Sequence, residues 1–328
     1  MQEDRYSRQQ LVPQFGVDGQ ARLADASVVI VGAGGLGCYL APLLVGAGVG
    51  QLMIIDHDVV SLTNLHRQTL YRESHVGQPK AQIAQQELER LNSNINVRSA
   101  VERCHPGNVH GLIKGADVVL DAADNFALSY ILSDECYAQN ILLISASVNR
   151  TYGYVGAFCG EAYHKLPELR TVFPRVPDTL TSCDVVGVTG PSVAAIAAVQ
   201  AQETLKYLVS GCIEPKLWQF ELWDYSVHGI DISESQPSLE PTNQITFVSA
   251  GQISEQLVID VRDSDEVAAE PLIFTNLLHI PLHMIGEQTK LPLDQDWVFA
   301  CRSGQRTLIA AQRFAKHGRA IQVLVPSD

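Results

Sequence analysis

Residues 28–68 read VVIVGAGGLGCYLAPLLVGAGVGQLMIIDHDVVSLTNLHRQ, and their types and spacing suit the binding of a nucleotide's phosphates. Gly32, Gly34 and Gly35 lie within the run GAGGLG. Glycines let the backbone turn tightly and approach a phosphate, which the N-terminus of a following helix attracts. Asp56 ends the next apolar run, where a dinucleotide fold puts the acid that binds a ribose. Loop and acid alone would serve NAD as well as ATP. Asp58, Asn64, Arg67 and Gln68 follow at once, placing polar and cationic groups where phosphates would lie. A dehydrogenase needs no such cluster, so the pattern favours ATP.

Two other places carry reactive types. Asp124 and Asn125 close DAADN (121–125) after a buried apolar run, either as a turn and helix cap or as a functional pair. Cys301 stands at a strand end and opens the Gly-containing loop CRSGQR, which leads into a helix. A sulfur there faces several backbone N–H groups, with Arg302 and Arg306 close by, a setting for an anion or a persulfide. A cysteine phosphatase would need its phosphate-clamping arginine at the position of Thr307; Arg306 comes one residue early, and the tighter loop suits sulfur better.

These groups must be held by regular elements. Apolar β-branched runs predict strands at 27–31, 51–55, 97–100, 117–121 and 141–146, alternating with helices that include the amphipathic 79–91. Such alternation implies an α/β fold with a doubly wound, mostly parallel, Rossmann-like sheet and a ligand at the carboxyl ends of its strands. Residues 152–158 read as a further strand of antiparallel sense, 161–180 as a long crossing loop and 191–208 as a small-residue helix. The predicted organisation is a first domain over 1–225, a linker over 226–243 rich in Ser, Pro, Glu and Asp, and a smaller α/β domain over 244–328.

The bulk properties set limits. A net charge of −13 argues against nucleic acid as the main partner. No run of 18 apolar residues exists, so no membrane span is expected, and the polar MQEDRYSRQQ lacks a signal core, which points to the cytoplasm. Seven cysteines without a CxxC pair suggest neither a disulfide framework nor a structural zinc site.

RYSRQ (5–9), GAGGLG (32–37), DHDVVSLTNLHRQ (56–68), GQPK (77–80) and DAADN (121–125), in that order, resemble the ubiquitin-activating-type adenylating enzymes, above all those that activate small sulfur carriers in molybdopterin and thiamin biosynthesis. IDVRD (259–263) and CRSGQRT (301–307) look like a rhodanese domain, and the pairing is similar to that of fused activating–sulfurtransferase proteins. The resemblance implies ATP-dependent adenylylation of the terminal glycine of a ubiquitin-like carrier ending in Gly-Gly, followed by sulfur transfer to give a thiocarboxylate. It also implies a homodimer and a sulfur donor protein. Carried onto this sequence, Gly32, Gly34 and Gly35 lie against the nucleotide, and Asp56 binds the ribose hydroxyls. Asn64, Arg67, Gln68 and Lys80 reach the phosphates, and Asp124, with Asn125 beside it, holds Mg²⁺ and positions the reacting groups. Arg8 reaches across the dimer to the partner's ATP, Cys183 takes the activated acyl group or forms a disulfide, and Cys301 carries the persulfide. The family's two zinc-binding CxxC pairs are missing: ELRTVFP (168–174) stands at the first place and the linker at the second. Two alternatives stay open, adenylation of another peptide C-terminus in a natural-product pathway and a non-catalytic nucleotide-binding scaffold that docks a carrier.

Overall fold

The structure, a computed structural model, describes residues 5–158, 166–176, 187–236, 245–286, 289–292, 295–315 and 321–326. Cys183 lies outside the described residues. The apolar run Ser27–Val31 forms β1 at the centre of the first sheet, because both its faces are covered. Alternate side chains point to opposite sides. Val28 and Ile30 join one apolar layer, with the helices Gly35–Ala47 and Gly190–Ser210. Val29 and Val31 join the other, with the helices Val109–Ile113 and Phe126–Gln139. Continuous burial of this kind is what makes parallel strands read as unbroken hydrophobic runs.

Five strands pair in parallel: β1, β2 (Gln51–Ile55), β3 (Asn96–Ala100), β4 (Val118–Asp121) and β5 (Leu142–Asn149). Three antiparallel strands extend the sheet: β6 (Tyr152–Phe158), β7 (Lys216–Glu221) and β8 (Ser226–Asp231). The order is β3-β2-β1-β4-β5-β6-β7-β8. The chain winds outward from β1 through β2 to β3, then returns to β4 on the other side of β1. The crevice beyond the carboxyl ends of β1 and β4 is therefore the topological switch point, where such sheets bind ligands.

β8 corrects the expected domain edge. The first sheet runs past residue 225, and the stretch read as linker begins with a strand. SVHGID pairs with β7 along its whole length, but its side chains are mostly exposed, so it lacks an apolar signature.

The second unit is a parallel sheet of order β11-β10-β12-β13-β9, built from β9 (Ile245–Val248), β10 (Leu257–Asp260), β11 (Leu277–His279), β12 (Trp297–Ala300) and β13 (Ile321–Leu324). The helix Gln305–Ala315 follows the Cys301 loop. Ile259, Phe299, Val323 and Leu308 belong to the same apolar cluster as Tyr130, Leu143 and Phe158 of the first unit. The two units thus share a core. Among the described residues no helix is long and apolar enough to cross a membrane.

The short helix Leu169–Val172 is held by an ion pair, ring contacts and hydrogen bonds. Arg170 is buried and makes a two-pronged ion pair with Asp134, Nε to Oδ1 at 2.8 Å and Nη2 to Oδ2 at 2.7 Å. Its guanidinium lies 4.7 Å from the Tyr130 ring centre and 5.2 Å from that of Phe247 on β9. The Leu169 N–H donates to Ser133, and the Tyr130 hydroxyl donates to the Phe173 carbonyl. Replacing Arg170 by Met removes the ion pair and both ring contacts. Asp134 can still be solvated, so we expect a loss of about 2 kcal/mol rather than unfolding. The denaturant midpoint is the check; a shift worth less than about half a kcal/mol would assign the anchoring to apolar packing alone.

Candidate active site

The glycine loop turns at Gly32, whose φ of +104° is open to glycine and costly for other residues. A Cβ there would lie 2.7 Å from the Ala122 carbonyl oxygen, so this close approach also joins the glycine loop to the β4 end. Gly34 caps the helix Gly35–Ala47, and a Cβ on it would meet only the Gln68 amide nitrogen, at 3.7 Å. Gln68 is buried, and its Oε1 has no hydrogen-bond partner. A buried acceptor left unpaired beside an open glycine suits a ligand donor.

Asp56 is tied to the glycine loop, accepting the Ala33 N–H at Oδ2 and the Asp58 N–H at Oδ1, both at 2.7 Å. Burial raises its carboxyl above the usual range, against the pull of Lys80 and these two amides. Lys80 is buried at the start of the helix Lys80–Leu91 and donates from Nζ to Asp58 Oδ2 at 2.9 Å. Burial disfavours its charge, but Asp56 and the Asp58 hydrogen bond outweigh that and hold it more basic than usual. Lys80 is therefore a fixed cation at the foot of the crevice. The Tyr71 hydroxyl braces the assembly, donating to the Ala33 carbonyl at 2.8 Å. Asn64 ends the short helix Leu62–Asn64, and its carbonyl accepts the Arg67 and Gln68 amides at 3.0 Å. Arg67 Nη1 lies 2.8 Å from His66 Nε2 and 3.3 Å from the Thr63 carbonyl.

The Asp121–Asn125 loop follows β4 and meets the glycine loop where the Ala122 carbonyl lies against Gly32. Asp121 is buried and accepts from Ser145 Oγ at 2.8 Å and the Ala123 N–H at 3.2 Å, while Asp124 is exposed at the rim of a cleft of about 440 Å³. The cleft runs along the antiparallel strands past Ser147, Asn149, Tyr154 and Phe220, and Arg175 and Gln305 also line it. Burial pushes the Asp121 carboxyl up to about 6 despite bonds from Ser129, Ser145 and the Ala123 amide, and the charge of Asp124 adds to the rise. The folded chain thus keeps this proton to a higher pH than the unfolded chain. The stability Asp121 contributes is present below about pH 4 and is lost as the pH rises to about 6, roughly 3 kcal/mol in all. Asp121→Asn has no such proton. Its melting temperature should gain on that of the wild type as pH climbs through this window; a difference flat with pH would refute the assignment.

Other expected residues are scattered. Arg8 is exposed on the short helix Ser7–Gln10. Asn125 caps the helix Phe126–Gln139, accepting the Ala127 N–H at 2.9 Å, and donates from Nδ2 to the Ser303 carbonyl at 2.6 Å. Among the described residues, Asp56, His57 and Asp58 are the one trio of His, Cys, Asp or Glu side chains close enough to share an ion, and Asp124 is outside it. In the second unit Cys301 is buried, and its Sγ accepts the Gly304 N–H at 3.2 Å and lies 3.6 Å from Thr307 Oγ1. Arg306 is committed elsewhere, in an ion pair with Glu266, and Arg302 is exposed. One amide and one hydroxyl contact the sulfur, and Arg306, although paired with Glu266, stays near enough for Cys301 to add to its basicity. Arg175 carries no motif signal, and Gln305, though inside CRSGQRT, is not singled out by it; the folded cleft brings both forward.

The sequence profile of the ThiF family matches residues 6–241, most of the chain. The chain belongs to the ThiF family. Within that family it is 38% identical over 213 residues to the SAMP-activating enzyme E1 of Haloferax volcanii, covering 63% of this chain and 76% of that one. It is also 38% identical over 238 residues to an adenylyltransferase and sulfurtransferase MOCS3 of Anopheles gambiae, covering 71% and 53%. A MOCS3 of Caenorhabditis briggsae is 42% identical over 207 residues, covering 62% and 50%. The chain spans about half the length of these MOCS3 relatives. Among solved structures, E. coli MccB with AMPCPP and MccA superposes with a TM-score of 0.60 at 24% identity, covering 73% of each chain. At that identity the likeness concerns the fold. The second unit of this ThiF-family chain, residues 245–326, lies beyond the matched residues.

Proposed function

We propose that this chain uses ATP to adenylate the C-terminal glycine of a ubiquitin-like sulfur carrier ending in Gly-Gly, and then moves sulfur from Cys301 to that carboxyl. The observation that carries the reading is the assembly of glycine loop, Asp56, Gln68 and Lys80 at the switch point, beside the β4 end from which the Asp124 loop runs. The residues fit the nucleotide: Gly34 is open, and the buried Gln68 oxygen awaits a donor. In this reading Gly32, Gly34 and Gly35 let the phosphates approach, and Asp56 takes the ribose hydroxyls. Asn64, Arg67 and Lys80 meet the phosphates, and Arg8 completes the site of the partner in a homodimer. The carrier's carboxylate oxygen attacks the α-phosphorus, the bond to the β-phosphate breaks, and pyrophosphate leaves. Two anions must meet for this, and the cations offset the charge that develops. Asp124, an exposed oxygen donor at the rim, would hold Mg²⁺, which supplies charge neutralisation at the phosphates.

Sulfur transfer follows. A donor protein loads Cys301 as a persulfide. Its outer sulfur attacks the acyl carbon, directly or after the acyl group has passed to Cys183, and AMP or the Cys183 thiolate leaves. The Cys183 thiolate then attacks Cys301 Sγ, releasing the thiocarboxylate and leaving a Cys183–Cys301 disulfide that a dithiol reduces. Free cysteines on both units suit a reducing cytoplasm. The test is ATP–pyrophosphate exchange with a Gly-Gly-ended carrier, compared with the same carrier lacking its last two residues. Exchange with the first alone is expected; ATP binding without exchange would favour the scaffold reading.

A further inference from the structure

The Cys301 loop rests on the N-terminus of the helix that starts directly after Asp124 and Asn125. Asn125 serves both units: its Oδ1 caps the helix, and its Nδ2 holds the Ser303 carbonyl at 2.6 Å. Gly304, at φ +83°, packs so closely that a Cβ there would lie 3.1 Å from that of Ala127. Gln305 then lines the cleft together with Asp124 and Phe126. The loop that bears the sulfur and the loop that bears Asp124 are thus joined by a hydrogen bond and form one wall. Other contacts hold the pose: Phe247 lies against Arg170, and Ile259, Phe299 and Leu308 share the first unit's core. Apolar burial of this kind belongs to a fixed interface rather than to a freely tethered domain.

Resting on the function proposed above, we propose that sulfur is delivered within one chain: the Cys301 persulfide meets the acyl adenylate made in the cleft of its own polypeptide. The outer sulfur forms the bond to the acyl carbon, the carbon–oxygen bond to AMP breaks, and AMP takes the electron pair. The thiocarboxylate is then released from Cys301 as described above. In a homodimer each cleft would be served by its own second unit, and a neighbour's loop would be superfluous.

Two variants of the full chain separate this from delivery across a dimer. Asp124→Asn lacks adenylation and Cys301→Ala lacks sulfur delivery, so neither alone forms thiocarboxylate. Their folds are checked by thiosulfate-to-cyanide sulfur transfer for the first and pyrophosphate exchange for the second. Co-expressed in equal amounts and purified together, they should form no more thiocarboxylate on the carrier, read by intact mass, than either variant alone. Delivery between chains would restore about a quarter of the wild-type yield, since half of randomly paired dimers would hold one competent pair of sites. That recovery overturns the inference while leaving the proposed function intact. A wild type that exchanges no pyrophosphate and forms no thiocarboxylate overturns the function itself, and this inference with it.

Discussion

Replacing Asp124 by Asn is expected to lower carrier-dependent ATP–pyrophosphate exchange by about a thousandfold, with stability held within about 1 kcal/mol. The separation of the two effects follows from where the carboxylates of DAADN sit. Asp121 is buried under Ser145 and the Ala123 amide and belongs to the fold. Asp124 is exposed at the cleft rim, so its loss uncovers no core. Asn keeps the size of the side chain and removes its charge. An interaction needed only as pyrophosphate departs is lost from the rate and not from folding. Exchange within about tenfold of wild type would remove Asp124 from the chemistry and leave it a rim residue. A large drop in melting temperature alongside lost activity would show instead that the loop, not the charge, was disturbed.

The crevice was legible in the sequence for a simple reason. β1 and β2 are buried on both faces, so they had to be unbroken apolar runs, and the glycine loop must follow β1 directly. Strand 152–158 reads from the sequence with an antiparallel sense, but the run before it ends there at 146; the structure carries that strand on to Asn149, which leaves Arg150 and Thr151 as the turn. Other features carry no local signal. The helix Phe126–Gln139 lies between the first sheet and the second unit, so it is apolar on several sides and shows no clean 3.6-residue stripe. β8 is exposed along most of its length and looked like linker. Asn125 could be weighed as a cap or as a functional residue, but its bond to Ser303 spans 178 residues and exists only once the units dock. Gln305 is the same case: one polar residue inside CRSGQRT, given a position in the cleft by that docking. Arg306 shows the reverse. Its proximity to Cys301 in sequence promised a cation committed to the sulfur; its charge still acts on Cys301, yet its hydrogen bonds go to Glu266, which that pairing holds well below the usual carboxylate range, at about 2.

Cys301→Ala should cut thiocarboxylate formation to less than about a thousandth of wild type while pyrophosphate exchange persists within about threefold. No atom of Cys301 takes part in displacement at phosphorus, so the first half-reaction depends on this loop only through the cleft wall. That wall survives the substitution. The latch to Asn125 runs through the Ser303 backbone carbonyl, and Thr307 Oγ1 still donates to the Gly304 carbonyl at 2.6 Å. What is lost is the sulfur acceptor of the Gly304 N–H. A buried amide left unpaired costs about 1–3 kcal/mol, enough to lower the melting temperature by several degrees without unfolding the chain. Cys301→Ser supplies the control, since a hydroxyl can accept from the same amide but cannot carry sulfane sulfur. It should match wild type in stability and match Cys301→Ala in thiocarboxylate yield. If either variant still forms thiocarboxylate, the sulfur reaches the carrier without Cys301. If both lose exchange while staying folded, the Cys301 loop belongs to adenylation itself, and the division of labour between the two units is wrong.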